Sequence, residues 1–425
     1  MSPARNGANR LSMWSWVVYD LANTIFALGV VGRYFPQWLL SVGQPDSALA
    51  VVEGVAGIAV IFLAPWAGAR SDARGKRLPT LRVTTVVAVA ATAFLAAFTV
   101  DWTLVLLGIA LVAFNIGSVA YDALLVDVST PENRGRISGL GVAVGYIGSF
   151  VGLGIGLVTL EVLDWSYSAT FVVLALGFLV FALPAFMFIE ESGAIDDAPL
   201  PRFKDVAAKM AASWRAASRY PGVVRFLMGR FLYTDAINTL IGGFLTIFVL
   251  EELEFESGLV TGLLALAIVA AIAGALIAGR LLRPVGPLRV LRGVLVLWMV
   301  AIASGVLAAI TGSTTLAWAI GALGGLALGA TWTADRVVMT RISPPRHLGQ
   351  FFGLYATVGR FATILGPLMW ALIVDGLGWG RRAAMSALIL FIGVGWWVLR
   401  TVDDTDRQWP PEDLPVLSES PAPPI

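Results

Sequence analysis

The second half of this chain repeats the first within its most apolar stretches, acidic residues included, and few folds accommodate such a pattern. Asp20-Leu-Ala-Asn23-Thr24 recurs as Asp235-Ala-Ile-Asn238-Thr239, each inside a long apolar run. Ser129-Thr-Pro131-Glu-Asn-Arg-Gly135-Arg-Ile-Ser-Gly139-Leu140 recurs as Ser343-Pro-Pro345-Arg-His-Leu-Gly349-Gln-Phe-Phe-Gly353-Leu354. The matches lie at offsets of 215 and 214 residues, so one register relates the two halves. A carboxylate in hydrocarbon is costly, and one at the same place in each half asks for a function.

The chain of 425 residues is 58% hydrophobic and only 13% charged, with a mean hydropathy of +0.81. A soluble protein of this length needs far more charged surface, so the composition indicates a membrane protein that crosses the bilayer many times. A net charge of +1 gives no reason to expect a nucleic acid partner. The absence of cysteine excludes disulfides, thiolate metal sites and a cysteine nucleophile, and the single histidine, His347, cannot build a His-based metal site alone. No catalytic triad, metal-ligand cluster or phosphate loop is present in the sequence, so neither an enzyme nor a bound cofactor is expected.

Spans of about 20 apolar residues are long enough to cross a bilayer. Twelve are expected near 13–40, 48–67, 80–100, 103–126, 137–160, 167–189, 222–250, 258–279, 288–311, 315–340, 350–374 and 382–400. The first run is too long for a cleaved signal and is expected to remain as span 1. An all-α fold follows, with an amino-terminal six-helix bundle over 1–189, a cytoplasmic linker over 190–221, a second bundle over 222–400 and a disordered tail over 401–425. Arg70, Arg74, Lys76, Arg77, Arg134, Arg136, Arg280, Arg283, Arg289 and Arg292 fall in loops on the side of the amino terminus. The opposite loops carry Asp46, Asp101, Glu161, Asp164, Glu251, Glu252, Glu254 and Glu256, with Arg381 and Arg382 as exceptions. The positive-inside rule therefore places both termini in the cytoplasm. The linker turns from acidic (Glu190, Glu191, Asp196, Asp197) to basic (Lys204, Lys209, Arg215, Arg219). An amphipathic helix on the inner leaflet or a solvated linker would each suit the basic part. The tail after Arg400 is acidic and rich in proline.

Charges inside the spans are few: Asp20 and Arg33 in span 1, Glu53 in span 2, Asp122 in span 4, Arg230 and Asp235 in span 7, Asp335 and Arg336 in span 10, and Arg360 in span 11. The first and fourth spans of each half are thus polar, while the third and sixth are apolar, as if the former lined a cavity and the latter faced lipid. Asp20, Asn23 and Thr24 share one helical face at i, i+3 and i+4, and Asp235, Asn238 and Thr239 do the same. A carboxylate flanked by amide and hydroxyl groups suits a proton-coupling or cation-binding role. The bland alternative is that both aspartates merely pair with Arg230, Arg336 or Arg360. Arg360 could grip a substrate carboxylate or phosphate, or bridge to Asp20 or Glu53. Arg33 is expected to snorkel or gate. The glycines of span 5, from Gly139 to Gly156, are expected to let backbones approach closely.

After span 2 the chain reads Gly68-Ala-Arg-Ser-Asp72-Ala-Arg74-Gly75-Lys76-Arg77. This resembles the signature loop of the major facilitator superfamily, G-x-x-x-D-R/K-x-G-R/K-R/K, with Ala73 departing from it. The resemblance implies a loop that clamps one conformation by charge pairing, making Asp72 and Arg74 partners of span 11 and of Asp127. The second-half copy keeps Gly279 and Gly286 but has Arg283 in place of the aspartate. Trp16-Val-Val-Tyr19-Asp20-Leu-Ala-Asn23-Thr24 resembles the opening of the vacuolar amino-acid-effluxer-like branch. Arg230 to Thr239 resembles that branch's span 7, and Arg136 to Gly141 its span 5 entry. The resemblance implies a secondary transporter of a small polar solute, an amino acid or related metabolite, with no cofactor and a proton as coupling ion, sodium being the alternative. Asp20, Asn23, Thr24, Arg230, Asp235, Asn238 and Arg360 are the candidate substrate and ion residues. A sugar–cation symporter of the melibiose-carrier type and a non-transporting membrane scaffold or sensor are the rival readings. The excess of arginine over lysine fits a GC-rich genome, hence a bacterial inner membrane, and a monomer is expected.

Overall fold

The computed structural model describes residues 10–130, 133–191, 202–345 and 348–404, and they are helical apart from short connections. In chain order the helices are α1 (Arg10–Ser41), α2 (Asp46–Ala73), α3 (Leu78–Ala93), α4 (Val100–Leu124), α5 (Arg136–Val162), α6 (Tyr167–Phe188) and α7 (Phe203–Ala217). The second half follows with α8 (Gly222–Glu251), α9 (Ser257–Val285), α10 (Pro287–Thr311), α11 (Thr314–Ile342), α12 (Leu348–Phe361), α13 (Leu365–Ala371) and α14 (Arg381–Leu399). Eleven spans among the described residues are long and apolar enough to cross a bilayer. The third expected span is a shorter apolar helix, α3: it ends at Ala93 and the chain turns at Ala96, whose φ is 56°. Proline opens α3, α8 and α10 near their first residue, where its missing N–H costs nothing.

The duplication extends to local backbone geometry. Wider i→i+5 turns begin at Ile25 in α1 and at Leu240 in α8, and again at Leu157 and at Leu372. Both pairs are separated by the 215 residues that relate Asp20 to Asp235. Such turns re-aim the side chains beyond them, and here each first one directly follows the Asp-Asn-Thr group.

In the first half α1 packs on α5 and α6, α2 on α4, and α3 on α4 and α6. In the second, α8 packs on α12 and α14, α9 on α11, and α10 on α11 and α14. The halves meet where α2 crosses α12 and α13 and where α5 crosses α9. The glycines of α5 serve this packing unequally. A Cβ on Gly148 would lie 2.2 Å from the Leu21 carbonyl and one on Gly152 3.2 Å from Gly29 Cα, whereas Gly139 and Gly154 face open space. Valines and leucines remain exposed on α3, α6, α10 and α14 (Val83, Leu176, Leu307, Leu390), a surface that a bilayer covers at no cost.

The basic half of the linker forms α7, with exposed Phe203 and Trp214. Asp205 accepts the Arg202 N–H at 3.1 Å and so caps its start. Asp196, Asp197 and the tail prolines lie outside the described residues.

Candidate functional site

Asp20 stands on α1, half-buried, beside Asn23 and Thr24. Thr24 Oγ1 donates to the Gly145 carbonyl of α5 at 2.5 Å, and a Cβ at Gly145 would lie 2.8 Å from Asp20 Oδ2. Behind Asp20, Trp16 and Tyr121 stack with centroids 4.5 Å apart, Trp16 Nε1 donates to the Tyr121 carbonyl at 2.9 Å, and Tyr19 bonds Thr85 at 2.6 Å. Asp20 makes no ion pair among the described residues; Asp122 and Arg336 lie within its electrostatic reach.

Of the two expectations for Arg360, a grip on a solute anion or a bridge to Asp20 or Glu53, the structure corrects the second: its ion-pair partner is Asp122. Arg360 Nη2 meets Asp122 Oδ2 at 2.9 Å, joining α12 of one half to α4 of the other. The Asp122 side chain is 65% accessible although it faces a helix of the opposite half, which marks an open cavity between the halves. Arg336 is exposed in the same region without an ion pair among the described residues, near Asp20, Asp122 and Tyr146. At the 214-residue offset, Asp122 corresponds to Arg336 and Tyr146 to Arg360. The first half thus offers an acid and a phenol where the second offers two guanidinium groups. That opposition is legible in the sequence at the 214-residue offset, but a search for matching residues does not single out Asp122.

In the second half the corresponding group does different work. Asp235 is fully buried and accepts the N–H of Ile364 at 3.0 Å and of Gly366 at 2.5 Å. These amides open α13, at the point where the eleventh span breaks after Phe361. Asn238 Nδ2 donates to the Ala362 carbonyl at 2.6 Å, and Thr239 returns to the Asp235 carbonyl at 2.7 Å. A broken helix orphans donors on one side and acceptors on the other, and this carboxylate and amide satisfy both. Arg230 is buried rather than cavity-facing: it bonds Asp335 at 3.1 Å and the Tyr355 carbonyl at 3.1 Å, and lies 3.7 Å from the Tyr355 ring centroid. Tyr355 Oη donates to Asp335 at 2.5 Å, completing the pair.

Polar contacts between the halves gather at the end opposite the termini. Asp46 of α2, fully buried, receives Arg381 through both oxygens at 2.9 Å and Trp370 Nε1 at 2.8 Å. Ser47 N donates to Asp375 at 2.6 Å, and Thr246 Oγ1 donates to the Gly32 carbonyl at 2.5 Å. Arg33, wholly buried, donates to Ser257 Oγ at 2.7 Å and to Thr261 Oγ1 at 3.3 Å, so it bridges to α9 rather than snorkelling. Gly243, at φ 121°, lets α8 bend tightly past Pro36 and Val31 of α1.

The signature-like loop is tied within its own half. Arg77 pairs with Asp127 at 3.2 Å, and Glu191 accepts the N–H groups of Arg77 and of Leu78, the latter at 3.0 Å. The partner of Asp127 is therefore Arg77, not Arg74, because the turn at Gly75 (φ 61°) carries Arg77 back over α4 while Arg74 stays exposed. Gly68 lies against Val119, Lys76 N donates to the Ser71 carbonyl at 3.2 Å, and the Asp72 side chain lies outside the described residues.

Two pseudo-symmetric helical halves around a polar cavity define a transporter of the major facilitator type. Solved structures bear out the fold. A bacterial homolog of the human lysosomal transporter Spinster, in an inward-facing and unoccupied conformation, superposes with a TM-score of 0.66 at 14% identity, covering 95% of this chain and 98% of that one. Nucleoside transporter NupG superposes with a TM-score of 0.72 at 13% identity, covering 92% and 99%. Over residues 126–408 the sequence matches the family described as Vacuole effluxer Atg22 like, and the chain belongs to that family. The MFS-type transporter YxiO of Bacillus subtilis is 26% identical over 95% of this chain and 98% of its own length. Autophagy-related protein 22 of Yarrowia lipolytica is 26% identical over 66% of this chain, which spans 53% of that relative.

Proposed function

We propose that this transporter carries a small dipolar solute, an amino acid or related metabolite, by alternating access with proton coupling. The carrying observation is the charge arrangement in the cavity: Asp122 and Arg360 neutralise each other, while Asp20 on one half and Arg336 on the other have no ion-pair partner among the described residues. A solute with an ammonium and a carboxylate group complements that leftover pair, and a guanidinium binds a carboxylate bidentately. The two halves rock about this site, as duplicated carriers do. The latch of Asp46 and Arg381 closes one end and the Asp122–Arg360 pair bridges towards the other, so each is a contact that one conformation keeps and the other breaks. Asp20 carries the proton coupled to the solute, because its carboxylate lies at the cavity with no ion-pair partner among the described residues. The basic loops favour cytoplasmic termini in a bacterial inner membrane, and the family description favours efflux.

The test is uptake of a panel of labelled amino acids into proteoliposomes under an imposed proton or sodium gradient. A proton gradient is expected to drive accumulation. Asp20→Asn should abolish that accumulation while solute exchange, which needs no net proton movement, stays measurable at lower affinity. Accumulation by Asp20→Asn equal to that of the parent would overturn the coupling role, and drive by sodium alone would overturn the choice of ion.

A further inference from the structure

Glu53 is an acidic side chain deep within a span that the cavity pairing, the latch, the helix break and the Arg230–Asp335 pair all leave unused. It stands on α2, two helical turns inward of Asp46, so it lies about 10 Å below the latch at about 1.5 Å rise per residue. Among the described residues it makes no hydrogen bond and no ion pair. Its carboxyl lies against Gly242, where a Cβ would come within 2.9 Å of Oε1 and 3.3 Å of Oε2. Gly242 immediately precedes the bend at Gly243 in α8, so Glu53 of the first half sits against the break in the second. On its own helix its neighbours Gly54 and Gly57 pack on Leu368 and Ile364 of the opposite half. The charged group that faces it is Asp235, on α8.

Two carboxylates lie within electrostatic reach of one another here, with no cation paired to either among the described residues, at the interface between the halves. They are not equivalent. Asp235 accepts two backbone N–H groups, whereas Glu53 accepts none among the described residues. An isolated anion in such surroundings is far costlier than the neutral acid. We propose that Glu53 holds a proton while the far end is closed and is the group that gives it up to water on that side when the latch opens. The proton leaves the carboxylic O–H for water, and the carboxylate that remains is then hydrated. With the latch closed the side chain is half-buried and has no donor or cation among the described residues, so closure favours reprotonation and ties the latch to one proton. This rests on the alternating-access reading for its place in a cycle, but the protonation itself is measurable without any solute.

Dicyclohexylcarbodiimide is the probe, because it adds to a protonated carboxyl in apolar surroundings and leaves a stable N-acylurea. The full-length protein is treated from pH 6 to pH 9 and the peptide carrying Glu53 is read by mass spectrometry. Labelling of Glu53 is expected at pH 6, falling at least tenfold by pH 9. Glu53→Gln should leave that peptide unmodified while the protein stays monodisperse. Asp235→Asn removes the facing charge and should shift the half-labelling pH downward. Glu53 unlabelled at pH 6, or labelled without pH dependence, would overturn the assignment. Labelling in a protein that moves no solute in proteoliposomes would break the transport reading and leave the proton on Glu53. Solute flux without labelling would do the reverse.

Discussion

The Asp-Asn-Thr groups of α1 and α8 are nearly identical in sequence and opposite in employment. In α1 the group faces α5, an unbroken helix whose backbone is already satisfied. Thr24 alone bonds it, through the Gly145 carbonyl, and Asp20 is left facing the cavity. In α8 the group faces a helix that breaks between Phe361 and Leu365: Asp235 and Asn238 are consumed in repairing the break, and Thr239 closes back on its own helix. Duplication supplied the same side chains twice, and the state of the neighbouring backbone decided which copy stayed free for chemistry. The structural asymmetry between the two halves therefore lies in α12 and α13, not in the residues that match.

Steric changes should break the comparison most severely. Gly148→Leu forces α1 and α5 apart and is expected to cost more than about 4 kcal/mol or to trap one conformation, while Gly139→Leu, in open space, should be silent. Accessibility of introduced cysteines from each side reads the difference cleanly in a chain without native cysteine. Equal behaviour of the two variants would mean that the close approach is not needed.

Asp235→Asn comes next. Losing a carboxylate that accepts two buried amides should cost about 2–4 kcal/mol, seen as a lower melting temperature of the purified protein. Asp20→Asn should change melting by less than about 0.5 kcal/mol. Similar melting losses for both would erase the distinction drawn here.

Asn238→Ala should cost about 1–2 kcal/mol, since it strands the Ala362 carbonyl in the break. Asn23→Ala is expected to melt with the parent and instead to alter transport. Smallest of all is the cavity pair: Asp122→Asn should lower stability by about 0–1 kcal/mol, because the carboxylate is 65% accessible. Its effect belongs in transport, where an unpaired Arg360 would compete with Arg336 for the solute.

Much of this was readable beforehand. Long apolar runs demand helices in a bilayer, and the repeated Asp-Asn-Thr faces and the loop from Gly68 to Arg77 carry the likeness to the superfamily. The repeat presents Asp20 and Asp235 as equals and gives no such emphasis to Glu53 or Asp122. Those two have no acidic counterpart in the other half: Asp122 matches Arg336, and Glu53 gains significance only from Gly242, far away in the chain.

The sequence by itself determined the helices, their pairing into two related halves and the inventory of charged groups placed in the membrane. Periodicity, apolar length and repetition are local or additive properties, and they survive in one dimension. Only the tertiary structure decided which charge meets which: Arg230 with Asp335, Arg360 with Asp122, Arg381 with Asp46, and Asp235 with a helix break. Each of those partnerships joins residues more than a hundred positions apart. Buried groups must be satisfied by whatever the packing brings within hydrogen-bond distance, and no pattern along the chain encodes that distance.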